Sequence, residues 1–337
     1  IDHTHADSVL ALTNRPDGEK VVEDALGKDV IILKYVKPGF DLAKASAEAF
    51  SGNPDARGMV WMNHGLVTWG DTAKKSYDAT IELVTRAEKY LSRKGTKLLN
   101  IVSPAAVSTA ENRAVFAAPI IRGLLAHPGR SSERPFRRVI LESLISREVL
   151  NFLGSQEGKK LALSPPLTTD HLIRTKALPL WIDSPAEGNS GKLRNQLAKA
   201  IKNYSKDYAD YLKRNSARMH PGLTPLDPFP RVIFLSGVGV FCAGTDSNEA
   251  RIARDITEHT IKVKAQLTAA KDYQGLPEEH LFDMEYEVFQ HRKLRSCNLA
   301  SLAGRIGVVT GGAGAIGSGI ARGLLEEGCS VAVTDLD

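Results

Sequence analysis

Short apolar runs alternate with longer stretches of helical periodicity along most of this 337-residue chain. Residues 29–35 form an apolar run that predicts a buried strand, and residues 40–50 have the spacing of a helix. A second apolar run at 58–62 leads through Asn63-His64-Gly65 into a long amphipathic helix, for which we expect Asp71 to be the N-cap. Such alternation predicts a compact α/β domain rather than a helical bundle.

A weaker copy of this pattern occurs later in the chain. Residues 231–244 match residues 57–70 at a constant offset, and both segments run into a long helix, the second beginning near Asp246. The identical pairs are Arg57 and Arg231, Gly65 and Gly239, and Gly70 and Gly244. An internal duplication and a coincidental similarity between two β-turn-α units both account for the match.

Three histidines are spaced so that they can converge on one ion. His3 and His5 are separated by one residue, so on an extended segment their side chains project from the same face. His64 follows the strand at 58–62 and can supply a third nitrogen. Three protein ligands with an open fourth position is the arrangement of a catalytic zinc, whereas a structural zinc has four. The spacing therefore predicts a metal site, with unrelated polar loop histidines as the alternative.

The residues around these histidines carry a resemblance. Asp-His-Thr-His-Ala-Asp at 2–7 and Met-Asn-His-Gly-Leu-Val-Thr-Trp-Gly at 62–70 resemble the zinc-dependent class II aldolase/adducin family, in the long form that is fused to a short-chain dehydrogenase. The resemblance implies that His3, His5 and His64 bind the divalent metal. The family's acid/base glutamate lies upstream of the His-x-His pair, and the chain starts at Ile1 and stops after a strand. We therefore expect a fragment truncated at both ends.

The resemblance also sets expectations for the rest of the site. The catalytic acid and base stay unassigned, and we expect Asp7, close in sequence to the ligands, to hydrogen-bond a ligating imidazole from outside the coordination shell. In the second copy, Asp170-His171-Leu-Ile173 aligns with Asp2-His3-Thr-His5, while Val238 aligns with His64. One remaining imidazole cannot assemble a three-ligand site. The second copy is thus expected to serve packing or substrate shaping.

A glycine-rich loop near the end of the chain points to a dinucleotide. Residues 304–310 predict a strand, 318–328 a helix and 330–334 a second strand that ends at an acid. Glycines permit the tight turn and the close approach of the backbone to a pyrophosphate, which the helix N-terminus attracts. A packing turn is the alternative. The predicted NAD-binding residues are Gly311, Gly312, Gly314, Ile316, Gly317 and Asp335.

The loop has a family resemblance of its own. Thr310-Gly311-x-x-x-Ala315-x-Gly317 is similar to the signature of short-chain dehydrogenases, with Ala315 in place of the middle glycine. Asp335 can accept hydrogen bonds from ribose hydroxyls and would repel a 2′-phosphate, which favours NAD over NADP. That family's catalytic Ser, Tyr and Lys occur further along the chain than Asp337. We expect this fragment alone to be inactive as an oxidoreductase.

The composition is that of a globular protein of two or three domains, with 42% hydrophobic and 25% charged residues. The net charge of +5 is mild and no nucleic-acid-binding motif is present. Three cysteines without metal-ligand spacing favour reduced thiols in a cytoplasmic protein. No apolar run approaches about 18 residues, so no membrane span is expected.

Three regions are predicted from these patterns. They are a class II aldolase-like α/β/α domain at 1–125, a degenerate second aldolase-like copy at 126–298, and the first β-α-β unit of a Rossmann domain at 302–337. The boundaries follow clusters of proline and glycine, which mark turns.

The resemblance implies a metal-dependent lyase. Zinc, or another divalent metal, would polarise the C2 carbonyl of a ketose 1-phosphate and stabilise the enediolate left by C3–C4 cleavage. Rhamnulose 1-phosphate would yield dihydroxyacetone phosphate and L-lactaldehyde, and the dehydrogenase would oxidise the aldehyde with NAD. A sugar-phosphate 4-epimerase and a non-catalytic adducin-like interaction module are the alternatives. Family members are often homo-oligomers, which is the expectation here.

Overall fold

The structure, a computed structural model, describes residues 1–93, 102–128, 132, 135–267, 272–295 and 300–336. Within those residues it contains two four-stranded sheets, a two-stranded parallel sheet and a short two-stranded ribbon. Cys242 and Cys329 are buried free thiols, whereas Cys297 lies outside the described residues. None of the described helices is long and apolar enough to cross a membrane.

Residues 1–93 build the first sheet from the predicted alternation of strands and helices. They form β1 (Asp2–Thr4), α1 (Asp7–Thr13), α2 (Gly18–Leu26), β2 (Val30–Leu33), α3 (Phe40–Gly52), β3 (Gly58–Trp61), β4 (Gly65–Thr68) and α4 (Ala73–Arg93). The strand order is β1-β4-β3-β2, with β4 antiparallel to both neighbours and β3 parallel to β2. Fully enclosed side chains such as Val22, Val60 and Leu66 form its core.

The N-cap of α4 is Thr72 rather than the predicted Asp71. Thr72 Oγ1 accepts a hydrogen bond from the backbone N–H of Lys75 at 3.2 Å, which satisfies one of the free donors of the first turn. The carboxylate of Asp71 pairs instead with Lys75 Nζ at 2.9 Å on the exposed surface. The prediction is wrong by one position because both side chains can cap a helix.

The second sheet lies between residues 102 and 295. The helices are α5 (Pro104–Leu124), α6 (Arg147–Gly154), α7 (Gly158–Ala162), α8 (Leu172–Thr175), α9 (Ser190–Arg214), α10 (Ser247–Ala265), α11 (Glu278–Glu285) and α12 (Val288–Arg295). The strands are β5 (His127–Pro128), β6 (Phe136–Arg137), β7 (Ile140–Leu144), β8 (Leu180–Ile182), β9 (Val232–Leu235) and β10 (Gly239–Gly244). Short 3₁₀ turns occupy Thr169–His171 and Ser216–Arg218.

The two four-stranded sheets have the same topology. The second sheet has the order β7-β10-β9-β8, and β10 is antiparallel to both neighbours while β8 is parallel to β9. Each antiparallel hairpin then leads into a long helix. In the second sheet this is α10, whose predicted cap Asp246 accepts a hydrogen bond from the backbone N–H of Glu249 at 2.8 Å.

The strand register shows which residues of the second sheet take the places of the paired histidines. In the first sheet His3 lies opposite Val67 on β4. In the second sheet Ser143 lies opposite Phe241 on β10, and Phe241 has the same place in its hairpin that Val67 has in the first. Ser143 and, further along, Ile145 therefore stand where His3 and His5 stand in the first sheet.

The alignment of Asp170 and His171 with Asp2 and His3 is wrong. Residues 169–171 form a 3₁₀ turn that continues into α8, outside the sheet, whereas the edge strand equivalent to β1 is β7. Ile173 is consequently not the counterpart of His5. The second sheet carries serine, isoleucine and valine at the three ligand positions, so no imidazole remains there.

The last described residues form a single β-α-β unit. It consists of β11 (Ile306–Thr310), α13 (Ala315–Glu326) and β12 (Ser330–Thr334), with the two strands parallel and in register along their whole length. The helix begins at Ala315, earlier than the predicted start at Ser318. The glycine-rich loop joins the carboxyl end of β11 to the first turn of α13, as the sequence predicts.

Helix α1 links the first sheet to the second. Leu10 and Ala11 of α1 belong to the same buried cluster as Val149 and Phe152 of α6. Asn14, at the end of α1, accepts at its carbonyl a hydrogen bond from Gln274 N–H at 2.9 Å. Because the two halves share a core, residues of the second half are held close to the histidines of the first.

Candidate metal centre and nucleotide loop

His3 and His5 lie side by side at β1. Their Nε2 atoms are 3.0 Å apart and their ring centroids 4.7 Å apart, as expected for side chains on one face of an extended segment. His3 Nδ1 donates a hydrogen bond to the Leu66 carbonyl at 3.0 Å. A carbonyl oxygen only accepts, so this bond places the proton on Nδ1 and leaves the Nε2 lone pair available to a metal.

His64 lies on the tight turn between β3 and β4. The turn needs a left-handed residue, and Asn63 takes that conformation with φ of 56°. Asn63 Nδ2 donates to Asn14 Oδ1 at 3.1 Å and to the Gln274 carbonyl at 3.2 Å. The turn is therefore anchored both by the end of α1 and by the second half of the chain.

Gly65 is required by the close approach of β1. A Cβ atom at this position would lie 2.5 Å from the Thr4 carbonyl oxygen and 2.8 Å from His5 Cδ2. Any larger residue would push the His-x-His segment away from His64. The Asn-His-Gly sequence thus combines a left-handed residue, a histidine of the cluster and a residue without a side chain, each for a separate geometric reason.

Burial favours the neutral form of the His5 and His64 imidazoles. His64 is 4% exposed, and its burial, followed by the neighbouring His5, lowers its pKa to about 4. Burial also lowers the pKa of His5, although the carboxylate of Asp170 opposes that shift. A neutral imidazole is the form that binds a metal, so these two side chains need no deprotonation at neutral pH.

The three histidines fit a divalent metal ion. One nitrogen from each can be chosen so that all three lie within 4.8 Å of one another. Ligands on a tetrahedral zinc with Zn–N bonds of about 2.0–2.1 Å are about 3.3 Å apart. The Nδ1 atom of buried His64 has no hydrogen-bond partner within the described residues.

Asp170 reaches this site from the second half of the chain. Its Oδ2 atom is 3.4 Å from His5 Nε2 and 3.8 Å from His64 Nε2. Its Oδ1 atom accepts a hydrogen bond from Gln290 Nε2 of α12 at 2.8 Å. Sequence reasoning misses Asp170, because it lies far from His5 along the chain and follows no ligand spacing.

Asp7 does not take the role predicted for it. Its carboxylate pairs with His259 Nδ1 on α10 and not with a histidine of the metal group. The reason is the direction of α1, which begins at Asp7 and packs against α10. The carboxylate beside the three histidines is that of Asp170 instead.

The glycine-rich loop has the geometry that a phosphate-binding turn requires. Gly311 is left-handed, with φ of 64°, and a Cβ atom at Gly317 would lie 2.1 Å from the Gly311 carbonyl oxygen. A Cβ atom at Gly312 would lie 2.2 Å from Val333 Cγ1. The third predicted glycine, Gly314, is the N-cap of α13 and leaves the helix N-terminus without a side-chain cap. Free N–H groups at such an end favour an anion.

The other two predicted NAD-binding residues, Ile316 and Asp335, border this loop. The Ile316 side chain is 82% exposed in the first turn of α13. Asp335 follows β12, and its Oδ2 atom accepts a hydrogen bond from the Ala313 backbone N–H at 2.9 Å. The bond from Leu336 N–H, together with the one from Ala313 N–H, lowers the pKa of Asp335. The carboxylate is therefore ionised beside the loop.

The fold and the site define an α/β protein with a cluster of three histidines that could hold a metal ion, followed by a β-α-β unit. Comparison with known proteins gives the family. Residues 1–91 match the class II aldolase and adducin N-terminal domain, and residues 112–294 match the second domain of class II aldolases. The chain belongs to the class II aldolase family.

Two relatives illustrate how far the similarity extends. The chain is 29% identical over 346 aligned residues to the uncharacterized oxidoreductase YuxG of Bacillus subtilis, covering all of this chain and 48% of that protein. The chain thus spans about half the length of this curated relative. A solved structure, the N-terminal class II aldolase domain of a conserved protein from Thermoplasma acidophilum, is 40% identical over 26% of this chain and 40% of that chain, with a TM-score of 0.24.

Proposed function

We propose that this chain carries the lyase part of a metal-dependent aldolase that cleaves a ketose 1-phosphate. The proposed substrate is rhamnulose 1-phosphate and the products are dihydroxyacetone phosphate and L-lactaldehyde. The observation that carries the proposal is the convergence of His3, His5 and His64 in a chain of the class II aldolase family. An interaction module of the same fold would have no need of three converging imidazoles.

The proposed ligands are the Nε2 atom of His3 and one nitrogen each from His5 and His64. A bound divalent ion supplies a Lewis acid that polarises a substrate carbonyl and stabilises negative charge as the carbon–carbon bond breaks. The chain's own residues orient the ligands. The Leu66 carbonyl holds the His3 ring, and Asn63 fixes the turn that carries His64.

Product analysis with the natural protein that contains this chain tests the proposed reaction. The zinc-loaded protein is incubated with rhamnulose 1-phosphate, and we expect dihydroxyacetone phosphate and L-lactaldehyde to appear in equal amounts. A chelator should stop the reaction and added Zn²⁺ should restore it. A new sugar phosphate of unchanged composition would identify a 4-epimerase, and the absence of turnover would favour the adducin-like module.

We further propose that the β-α-β unit begins a dehydrogenase that uses NAD and acts on the aldehyde product or a related sugar. The support is the close-packed glycine loop at the start of α13, the ionised carboxylate of Asp335 and the name of the Bacillus subtilis relative. Asp335 would accept hydrogen bonds from the ribose hydroxyls and repel the 2′-phosphate of NADP.

Replacing Gly317 with alanine should weaken NAD binding by the natural protein. The added Cβ atom meets the Gly311 carbonyl oxygen at 2.1 Å, so the loop must open by moving backbone. A backbone shift of this kind costs about 1–3 kcal/mol, equivalent to roughly a 5- to 150-fold higher Kd. Calorimetric titration with NAD measures the change.

Gly319 provides the matched control on the same helix. A Cβ atom there meets nothing within 4 Å, so Gly319→Ala should bind NAD like the wild type. Equal Kd values for the Gly317→Ala and Gly319→Ala proteins would show that the loop is a packing turn.

We also propose that the second half of the chain arose by duplication of the first and lost its metal ligands. The identical strand order of the two sheets and the constant offset between their hairpins support this origin. With Ser143, Ile145 and Val238 at the ligand positions, the second sheet has no metal chemistry of its own. Its proposed role is to pack against the first half and to shape the site.

A further inference from the structure

A carboxylate from the second half of the chain stands beside the metal centre of the first half. Asp170 Oδ2 lies 3.4 Å from His5 Nε2 and 3.8 Å from His64 Nε2. The side chain of Asp170 is 31% exposed, whereas that of His64 is 5% exposed. The carboxylate therefore stands at the open side of a site whose other wall is buried protein.

The separations match those between ligands of one ion. The His3–His5, His5–Asp170 and His64–Asp170 distances are 3.0, 3.4 and 3.8 Å, and they bracket the separation of about 3.3 Å between ligands of a tetrahedral zinc. Carboxylate oxygens are regular zinc ligands with bonds of about 2.0–2.2 Å. Asp170 is not in the group whose ligand atoms all lie within 4.8 Å of one another, so its side chain has to shift to bring Oδ2 and the three nitrogens onto one ion.

The side chain of Asp170 is oriented by Gln290, an uncharged residue that leaves the negative charge of the carboxylate in place. Gln290 Nε2 donates to Oδ1 at 2.8 Å, which leaves Oδ2 directed at the histidines. Gln290 is 5% exposed on α12, so its position is set by packing. An outer amide that holds one carboxylate oxygen while the other faces the metal is the arrangement by which proteins orient ligating carboxylates.

We infer that Asp170 is a ligand of the metal bound by His3, His5 and His64, supplied by the second half of the chain and oriented by Gln290. This inference rests on the proposed metal site, and the substrate oxygen would reach the four-ligand ion by its expansion to five-coordination, which catalytic zinc allows. It gives the second half a direct function at the centre that its own sheet has lost. The carboxylate of Asp170 would also lower the net charge of the metal site from +2 to +1. Asp7 does not supply this charge, because its carboxylate pairs with His259.

Metal binding by the natural protein tests the inference without reference to its activity. The metal-free protein is titrated with Co²⁺ while the visible absorption is followed, and the affinity for Zn²⁺ is measured by competition with a chelator. Asp170→Asn should change the Co²⁺ spectrum and lower the Zn²⁺ affinity at least about 10- to 100-fold, the range seen when even an outer partner of a ligand is lost. Asp170→Glu restores the charge and should recover most of that affinity.

Two further variants complete the design. Asp183→Asn removes a carboxylate that is 64% exposed and pairs with Lys159, and it should leave both measurements unchanged. Gln290→Met releases Oδ1 and should lower the affinity by a smaller factor than Asp170→Asn. If Asp170→Asn fails to fold, Gln290→Met becomes the deciding variant. A folded Gln290→Met protein with the Zn²⁺ affinity and the Co²⁺ spectrum of the wild type would then overturn the inference.

The outcomes separate the inference from the proposed function. A wild-type protein that binds neither Co²⁺ nor Zn²⁺ overturns both. A wild-type protein that binds metal while folded Asp170→Asn gives the same spectrum and the same affinity overturns only the role of Asp170. If Asp170→Asn loses cleavage activity but binds metal like the wild type, the carboxylate would be assigned to proton transfer. That result would also overturn the inference that Asp170 is a metal ligand.

Discussion

Replacing His64 with alanine is expected to abolish tight metal binding. His64 contributes the buried one of three converging imidazoles, and its loss leaves only His3, His5 and the carboxylate of Asp170 at the site. Losing even an outer partner of a ligand lowers metal affinity about 10- to 100-fold, so losing a ligand itself should cost more than about 100-fold. Zinc content after dialysis, measured by atomic emission, gives the result directly. Metal-dependent cleavage should disappear in parallel.

His220→Ala is the matched control for this experiment. His220 is an exposed histidine outside the metal group, and its replacement should leave the zinc content unchanged. Circular dichroism establishes that the His64→Ala protein is folded. Wild-type zinc content in a folded His64→Ala protein would refute the proposed ligand set.

The second large effect is expected from a buried lysine that takes no part in the site. Lys264 of α10 is 1% exposed, and its Nζ donates to the carbonyls of Leu161, Ser164 and Pro165 at 2.9–3.0 Å. The same Nζ lies 4.5 Å from the centroid of the Tyr273 ring. Through these hydrogen bonds, Lys264 holds the end of α7 and the proline segment that follows it against α10.

Replacing Lys264 with methionine should lower the free energy of unfolding by about 1–3 kcal/mol. Methionine fills nearly the same volume but donates no hydrogen bond, and a buried acceptor left without its donor costs about 1–3 kcal/mol. Two of the carbonyls keep another donor, since Ser164 Oγ donates to the Leu161 carbonyl and Tyr273 Oη to the Pro165 carbonyl. The loss therefore falls mainly on the carbonyl and the hydroxyl of Ser164, to both of which Nζ donates. Urea denaturation measures the difference.

Lys262→Met is the control on the same helix. The Lys262 side chain is 58% exposed and pairs with Glu258 on the surface, so its replacement should change the stability by less than about 1 kcal/mol. Equal stabilities of the Lys262→Met and Lys264→Met proteins would contradict the structural role of Lys264.

The pH dependence of the stability difference between the wild type and Lys264→Met gives an independent check. Burial lowers the pKa of Lys264 to about 7 from its ordinary value of 10.5. Between these values the unfolded chain binds more protons than the folded one, so the stability of the wild type rises as the pH increases from 7 towards 10.5. Lys264→Met lacks this contribution, and its deficit should therefore be larger at pH 9 than at pH 7.

The local elements of the fold could be predicted because their causes are local. The strand at β3, the helix at α4 and the β-α-β unit at the end follow from apolar runs and helical spacing within short, continuous segments. The proximity of His3 and His5 has an equally local cause, since the alternation of side chains along one strand places them on one face.

The errors concern segments whose place depends on distant partners. Order along the chain aligns Asp170 and His171 with Asp2 and His3, but the pairing of β7 with β10 gives that place to Ser143. Proximity in sequence assigns Asp7 to the metal site, but the packing of α1 on α10 directs its carboxylate to His259. Neither pairing leaves a signal in a single sequence.

The amino-acid sequence by itself determined the α/β class, the three histidines and the glycine loop, because periodicity, turn chemistry and ligand type are properties of short segments. Only the tertiary structure decided that the two sheets share a topology, that Asn14 and Gln274 support the turn of His64, and that Asp170 stands beside His5. These relations arise from packing between residues far apart in the chain, where burial of a shared core selects one arrangement among many that the local patterns allow.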